Sequence, residues 1–525
     1  MNSKFCLSMV TVTIFAMAVS STRLISQEHN AKHHHHYQVI DLGTLGGQGT
    51  WLSYPLPGEV QLNQRGLVVG ISETIDPDPY SPNCITPDCG LAHAFQWQNG
   101  VLADLGALPG ANNSYAFSSN GRGQIVGMSE NGQIDPFTGA PELVGVLWTD
   151  GKIINLGTLG GNGSWAATIN ERGQVVGAAL NDVPDPFSGN LAIGPFFPLA
   201  TQMHAYLWEH GVMRDLGTLG GPDSQAQYIN ARGQIAGQSF INDTPNPPVT
   251  APACNTAGVP TEHPFLWQNG MIDLGSLGGT CGYANWLNDR GQVIGTMTLA
   301  GDSTNHAFLW DRGVLTDLGT LGGNNSEAWF TNDAGEVVGR ADFSATSADH
   351  HAFLWRRGHG MIDLGTVADQ PLSTAEGINS HTQIVGDSLG NGWLWEDGSI
   401  VDLNTLVPSN STVHVAGAVA INDRGEIVAE GFPSNGDDHV VVLIPCDDDH
   451  PDVEGCDYSL AEDKSTIEVG SVPGSHNSPT ANQKPRSDSK RVRRDVCAAS
   501  VTRYPGNPAE GEARGCRGNF SPRRI

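Results

Sequence analysis

Ser326-Glu-Ala-Trp-Phe-Thr-Asn332, Glu336-Val-Val-Gly339, His351-Ala-Phe-Leu-Trp355 and Met361-Ile-Asp-Leu-Gly365 are four short apolar runs separated by Gly, Asn and Asp. Each is too short for a helix of ordinary length, and their β-branched and aromatic content with punctuating turn residues reads as four strands. The last phrase recurs. Asp-Leu-Gly or a close variant begins at Asp41, Asp104, Asn155, Asp215, Asp273, Asp317, Asp363 and Asp402, at intervals of 39 to 63 residues. The shortest intervals approximate the bare unit, and a period of about 40 to 45 residues is that of a four-stranded propeller blade. The longer intervals carry insertions at 76–90, 181–202 and 242–262, rich in Pro, Asn and Asp, which read as loops hung on the ring.

Between the first two runs of a unit stands an Asn-x-x-Gly turn, beginning at Asn63, Asn120, Asn170, Asn230, Asn288, Asn332 and Asn422. Asn suits the first turn position because its side chain bonds the backbone, and Gly three residues on accepts a positive φ. Thr382 replaces that Gly after Asn379, so this turn should be strained or of another type. A His opens the third strand at His93, His204, His263, His306, His351 and His439, and a Trp ends it at Trp97, Trp148, Trp208, Trp267, Trp310, Trp355 and Trp395. Six copies of a His at one repeat position point to a structural device, an imidazole bonded to a neighbouring turn, rather than to a catalytic base. The Trp residues should pack between blades. Loops such as Gly319-Thr-Leu-Gly-Gly323 lack the Gly-Lys-Ser/Thr ending and following helix of a phosphate cradle.

The eighth unit has no Asp-Leu-Gly strand after it, whereas the strand at 37–42 has no blade before it. Pairing the two completes the last blade and hides both edges. The expected fold is therefore all-β: a single eight-bladed propeller of four-stranded blades spanning 37–446, closed by the N-terminal strand.

His306-Ala-Phe-Leu-Trp310, Asp317-Leu-Gly-Thr-Leu-Gly-Gly323 and the Ile-Asn-x-x-Gly-Gln-Val-Val-Gly type of segment resemble the bacterial extracellular HAF repeat family, named for its His-Ala-Phe tripeptide. The resemblance covers roughly Tyr37 to Cys446. It lapses at Gly145-Val-Leu-Trp148 and Gly392-Trp-Leu-Trp395, which lose His-Ala-Phe, and at Asn404-Thr-Leu-Val-Pro408, which loses the Gly-Gly. It implies export and a repeat fold but no reaction.

Lys4 followed by an apolar run from Phe5 to Val19, with small residues near Ala18, reads as a secretory signal over 1–20. A linker at 21–36 follows, including the four His of 33–36. No later run reaches the ~18 apolar residues of a membrane span. A secreted or periplasmic location is expected, where thiols oxidise. The eight Cys beyond the signal fall into neighbours: Cys84 with Cys89, Cys254 with Cys281, Cys446 with Cys456, Cys497 with Cys516. None has zinc-site spacing, and Asp447-Asp-Asp-His450 lacks the alternation of a calcium loop; it reads as exposed and solvated. The segment from 447 to 525 reads as a low-complexity tail, disordered because its Ser, Pro, Asn, Lys and Arg cannot bury enough apolar surface. Residues 484–525 hold eleven Lys and Arg against four Asp and Glu, so of the formal charge of −28 the rest of the chain carries −35. Such an acidic body does not suit nucleic acid.

Two functions of different class follow. The first is a non-catalytic binding or scaffold module for an extracellular glycan, protein or envelope component, monomeric and without cofactor, metal or catalytic residues. The second is a propeller enzyme such as a glycoside hydrolase or lyase, which needs two carboxyls in contrasting settings; Glu59, Glu327 and Glu376 on first strands are its candidates. Four residues before the turn Asn stands Ala in seven units: Ala116, Ala166, Ala226, Ala284, Ala328, Ala375 and Ala418. The position before it varies, as Tyr115, Trp165, Gln225, Tyr283, Glu327 and Thr374. Variation between like blades leaves two readings of Tyr115, Trp165 and Tyr283: they fill unequal gaps between blades, or they are the ligand surface on one rim of the channel.

Overall fold

The computed structural model of the chain describes residues 33–462, apart from 53–59, 81–88, 136–138, 186, 188–200, 248–257, 348, 369 and 452. The strands form eight four-stranded antiparallel sheets, with consecutive strands adjacent in every blade. Blades 1 to 7 span 46–104, 114–157, 164–215, 224–273, 278–317, 326–365 and 374–402. Blade 8 takes three strands from 413–445 and its outermost strand, Tyr37–Asp41, from the other end of the chain. Tyr37 lies opposite Pro445 and Asp41 opposite Val441, which is the expected closure. The ring is therefore an eight-bladed β-propeller, and blade 6 has the four strands that its sequence announces: Ser326–Thr331, Val337–Asp342, His350–Arg356 and Gly360–Gly365.

The recurring residues are stitches. Each turn Asn donates from Nδ2 to the backbone carbonyl of the next blade's turn Asn, at 2.9–3.2 Å, from Asn63 round through Asn422 and back to Asn63. Its Oδ1 meanwhile accepts from backbone N–H groups two and four residues on, as Asn230 does from Arg232 and Gln234. A closed circle of eight amides thus satisfies buried carbonyls that would otherwise be costly. A second stitch uses Ser at the start of a first strand, which accepts the N–H of the third strand of the preceding blade, as Ser114 does from Ala94 at 2.9 Å. Across the seam Thr50 takes that role for Val440 at 3.1 Å.

Thr382 keeps the common turn rather than another type. It has φ of 63° and donates its N–H to Asn379 at 3.2 Å, so a β-branched residue occupies a left-handed conformation that seven sister turns give to Gly.

Two boundaries are corrected. His33–His35, placed in a linker, is a strand paired with Leu460–Glu462, placed in the tail. The pairing is anchored: Cys446 and Cys456 form the expected disulfide, and His34 is buried with Nδ1 2.8 Å from Glu396. The expectation that Asp447 to His450 is solvated holds for Asp448 and Asp449, which are exposed, but not for His450, which is buried with Nδ1 2.7 Å from the Asp447 carboxylate. Cys89 and Cys281 are also disulfide-bonded. Cys84, Cys254, Cys497, Cys516, the signal and the rest of the tail lie outside the described residues.

Candidate functional site

The repeated His residues bridge strands. Nδ1 lies 2.8–2.9 Å from the Asp of the Asp-Leu-Gly strand in His93–Asp104, His204–Asp215, His263–Asp273, His306–Asp317, His351–Asp363 and, across the closure, His439–Asp41. Partial burial opposes ionisation of Asp104, Asp215, Asp273, Asp317 and Asp363, but the His and a Gly N–H outweigh it and hold these carboxyls below their usual range. Nε2 of His93 is also engaged, by the Asn112 carbonyl at 3.1 Å. These imidazoles fasten strands.

The first strands carry a bulge at one place. Register shifts between Ala116 and Ser118, between Ala328 and Phe330, and between Ala375 and Gly377 leave Phe117, Trp329 and Glu376 unpaired on the axial edge. The uniformly small Ala beside the bulge faces the preceding blade: Ala116 packs with Leu67, Val69 and Ala94. The variable residue before it faces the following one. Tyr115 pairs with Met128 and Met128 with Gly145, and a Cβ on Gly145 would meet Tyr206 and Trp165 of blade 3.

Tyr115 and Trp165 are therefore core, 1% and 4% exposed, in one apolar cluster with Met128, Leu143, Leu180 and Phe240. As an exposed ligand rim these two are wrong, because that face of the strand is covered by the neighbouring blade. Tyr283 is half-buried and interacts electrostatically with Arg340.

The variable position becomes informative when joined to its cross-strand partner. Trp51 with Ile71, Tyr115 with Met128 and Trp165 with Ala178 are apolar; Gln225 with Gln238 and Tyr283 with Thr296 are neutral and polar. Glu327 with Arg340, Thr374 with Asp387 and Gly417 with Glu430 are charged or acidic. The ring thus has a closed apolar arc and a charged arc. Two enzyme candidates, Glu327 and Glu376, fall on the charged arc, while Glu59 lies outside the described residues.

At the charged arc Arg340 holds Glu327 with two hydrogen bonds, Nη2 to Oε1 at 3.0 Å and Nε to Oε2 at 3.2 Å. Trp329 donates Nε1 to the same carboxylate at 3.2 Å, and the Arg340 guanidinium lies 5.3 Å from an indole centroid. Burial works against the Arg340 charge, and Glu327 more than restores it. Glu376 interacts with Asp387, Arg340, Glu430 and Glu327; burial, then Asp387, pushes its carboxyl well up despite Arg340. Burial also raises Asp387, against N–H bonds from Gly390 and Leu389.

Beside the ion pair is a cavity of about 160 Å³ lined by Asn305, Asn325, Glu327, Arg340, Asp342 and His350. Asn305 is fully buried and spends Nδ2 on the Ser326 carbonyl, while its Oδ1 has no partner among the described residues. Asn325 is fixed by the Asp342 carboxylate at 2.8 Å. Amides, carboxylates and a guanidinium that line one cavity can bind hydroxyl-rich groups edge-on.

No protein-family profile matches the sequence, and no curated protein matches it. Among solved structures, the β-propeller domain of the Trilobed protease from Pyrococcus furiosus, described as revealing an open velcro topology, is similar at 9% identity. The likeness has a TM-score of 0.35 and covers 75% of this chain and 93% of that one. TolB from Acinetobacter baumannii is similar at 12% identity and a TM-score of 0.26, over 61% of this chain and 79% of that one.

Proposed function

We propose that the chain is an exported binding module of the HAF repeat kind, which holds a glycan on the charged arc of its propeller. The observation that carries the reading is the Glu327–Arg340–Trp329 group beside a cavity lined in part by Asn305, whose buried Oδ1 has no partner among the described residues. A buried acceptor without a partner is costly, and a hydroxyl donor from a ligand would satisfy it. Export is supported by the signal-like first 20 residues and by the Cys446–Cys456 disulfide. A glycan and envelope-extract binding screen with the purified protein tests the reading. Trp329→Ala and Asn305→Ala should each weaken the best ligand about tenfold, within the ~1–2 kcal/mol of one stacking or hydrogen-bond contact, and leave the ring folded. Unchanged affinity in both would place binding elsewhere.

One observation favours the enzymatic alternative. Glu376, raised by burial, and Glu327, ion-paired to Arg340, are two carboxyls in unlike settings on neighbouring blades, the combination a glycosidase needs. A hydrolase panel run beside the screen, with Glu376→Gln as the control, separates binding from turnover.

A further inference from the structure

One face of the ring collects its cations. Because consecutive strands alternate in direction, the turn from first to second strand and the turn from third to fourth lie at the same end of a blade. Bonds join them there, as from Gln174 Nε2 to the Glu209 carboxylate at 2.9 Å and from Gln234 Nε2 to Gln268 Oε1 at 2.7 Å. Ten of the twelve Lys and Arg between 37 and 446 stand in or beside these turns, in a chain whose formal charge is −28. Six share one repeat position, two residues after the turn Asn: Arg65, Arg122, Arg172, Arg232, Arg290 and Arg424, all exposed. The amide circle sets the turns side by side, so arginines 50 to 60 residues apart in sequence form a crown about the axis.

Most of the crown is not consumed by the protein. Among the described residues, the guanidinium groups of Arg65, Arg122, Arg232 and Arg290 have no hydrogen-bond or ion-pair partner, while Arg172 bonds the Ala231 carbonyl and Arg424 pairs with Glu426. Acids on these turns are committed sideways, Glu171 accepting from Gly121 N, Asp289 from Ala231 N and Asp423 from Ser380 N. The Asn-x-x-Gly turns of blades 1 to 4 hold four of the Arg against Glu171 alone, and the outer turns of that arc add Lys152 against Asp150 and Glu209. The turns of blades 5 to 8 hold two Arg against three Asp, so the free positive charge belongs to blades 1 to 4. The outer turns of the same face also carry Val101, Val212 and Val314 at one repeat position, each 61–65% exposed. The chain leaves the ring at this end too. Leu460–Glu462 pairs with His33–His35, and His34 reaches Glu396 beside the outer turn of blade 7; the eleven Lys and Arg of 484–525 follow in sequence.

We infer that this face docks the ring on an anionic lipid bilayer, with the arginines of blades 1 to 4 against lipid phosphates and Val101 and Val212 in the interface. A guanidinium fork matches phosphate oxygens, and exposed aliphatic side chains leave water when they enter the headgroup boundary. A soluble polyanion would engage the arginines and leave the valines in water. The acids at the far end of a blade do not oppose docking: six residues of strand at ~3.3 Å each place them about 20 Å away, well beyond the ~8 Å screening length of physiological salt. The cavity lined by Asn325 and Asp342 lies at those opposite strand ends, so this docking is separate from the glycan reading and either can fail alone.

The test is flotation of the full chain with vesicles of phosphatidylglycerol and phosphatidylcholine in equal parts, against vesicles of phosphatidylcholine alone. At about 0.1 M salt the mixed vesicles should bind at least about tenfold tighter, and higher salt should remove the difference. One basic residue at an anionic surface is worth about fivefold, so Arg65→Gln with Arg122→Gln and Arg232→Gln should weaken binding on the order of a hundredfold. The same three changed to Lys should keep the preference. None of these guanidinium groups bonds the described protein, so the melting temperature should not move in either variant. Val101→Ser with Val212→Ser should weaken binding without altering charge. Equal binding to both vesicles, or a triple Gln variant that floats like wild type, overturns the inference. So does binding to soluble polygalacturonate with none to vesicles, which would make the crown a polysaccharide site.

Discussion

Asn230→Asp is the sharpest perturbation of the amide circle, because it exchanges one NH2 for one oxygen. In the native chain Asn230 is 2% exposed. Nδ2 donates to the Asn288 carbonyl at 3.0 Å and to Gln234 Oε1 at 2.9 Å, while Oδ1 accepts from Arg232 N and Gln234 N, each at 3.0 Å. At ~1 kcal/mol net per bond, plus the penalty of an orphaned buried carbonyl, Asn230→Ala should cost about 3–5 kcal/mol. Asp keeps both acceptors but turns an oxygen toward two other oxygens, so at neutral pH it should cost as much. Protonation returns one donor. The folded pKa of the introduced carboxyl must then lie above the unfolded value of ~3.9, and the stability recovered is fully present below the unfolded pKa and lost as pH rises through the folded one. Native carboxyls such as Asp104 and Asp215 shift the other way, so their contribution is lost on acidification. The quantity to follow is therefore the difference between variant and wild type, as the urea midpoint at constant m, between about pH 4 and 8. It should shrink by ~1–2 kcal/mol on the acid side. Asn99→Asp, at an exposed hairpin turn, should stay within about 0.5 kcal/mol of wild type throughout. A difference that does not move with pH, or an Asn230→Asp protein as stable as wild type at neutral pH, refutes the donor role of the circle.

Thr382→Asn should raise stability by about 0.5–1 kcal/mol, because Asn tolerates the left-handed backbone better than a β-branched residue and can still donate toward Glu336 as the Thr hydroxyl does at 2.8 Å; a lower melting temperature would show that the turn is unstrained. Deleting 37–42 removes the fourth strand of blade 8 and the Asp41 partner of His439, so cooperative unfolding should be lost, and a deletion variant melting like the full chain would refute closure as a requirement of the fold.

What was legible and what was not divides along one physical line. The spacing of Asp-Leu-Gly phrases yielded the blade count, and the unmatched strand at 37–42 yielded the closure, because both follow from backbone pairing that repeats in every unit. The turn Asn was readable as local turn chemistry, but its Nδ2 reaches a carbonyl 43 to 60 residues away in sequence, or 359 across the seam; no short-range pattern contains that partner. The burial of Tyr115 and Trp165 was not legible for a related reason. Tyr115 and Trp165 stand out as variable aromatics, each on the first strand of its own blade, yet which face a strand residue takes, and what covers it, is decided by the neighbouring blade. The same variable column separates the charged arc from the apolar one once each residue is joined to the partner thirteen positions on: Glu327 to Arg340, Thr374 to Asp387, Gly417 to Glu430. A hairpin with fixed turn length keeps that offset the same from blade 2, where Tyr115 meets Met128, through blade 8. In a repeat protein the unit to compare across copies is therefore the cross-strand pair, because burial acts on the pair, and a charged pair on blades 6 to 8 stands out against the apolar pairs of blades 1 to 3 even though neither column alone departs from ordinary surface variation.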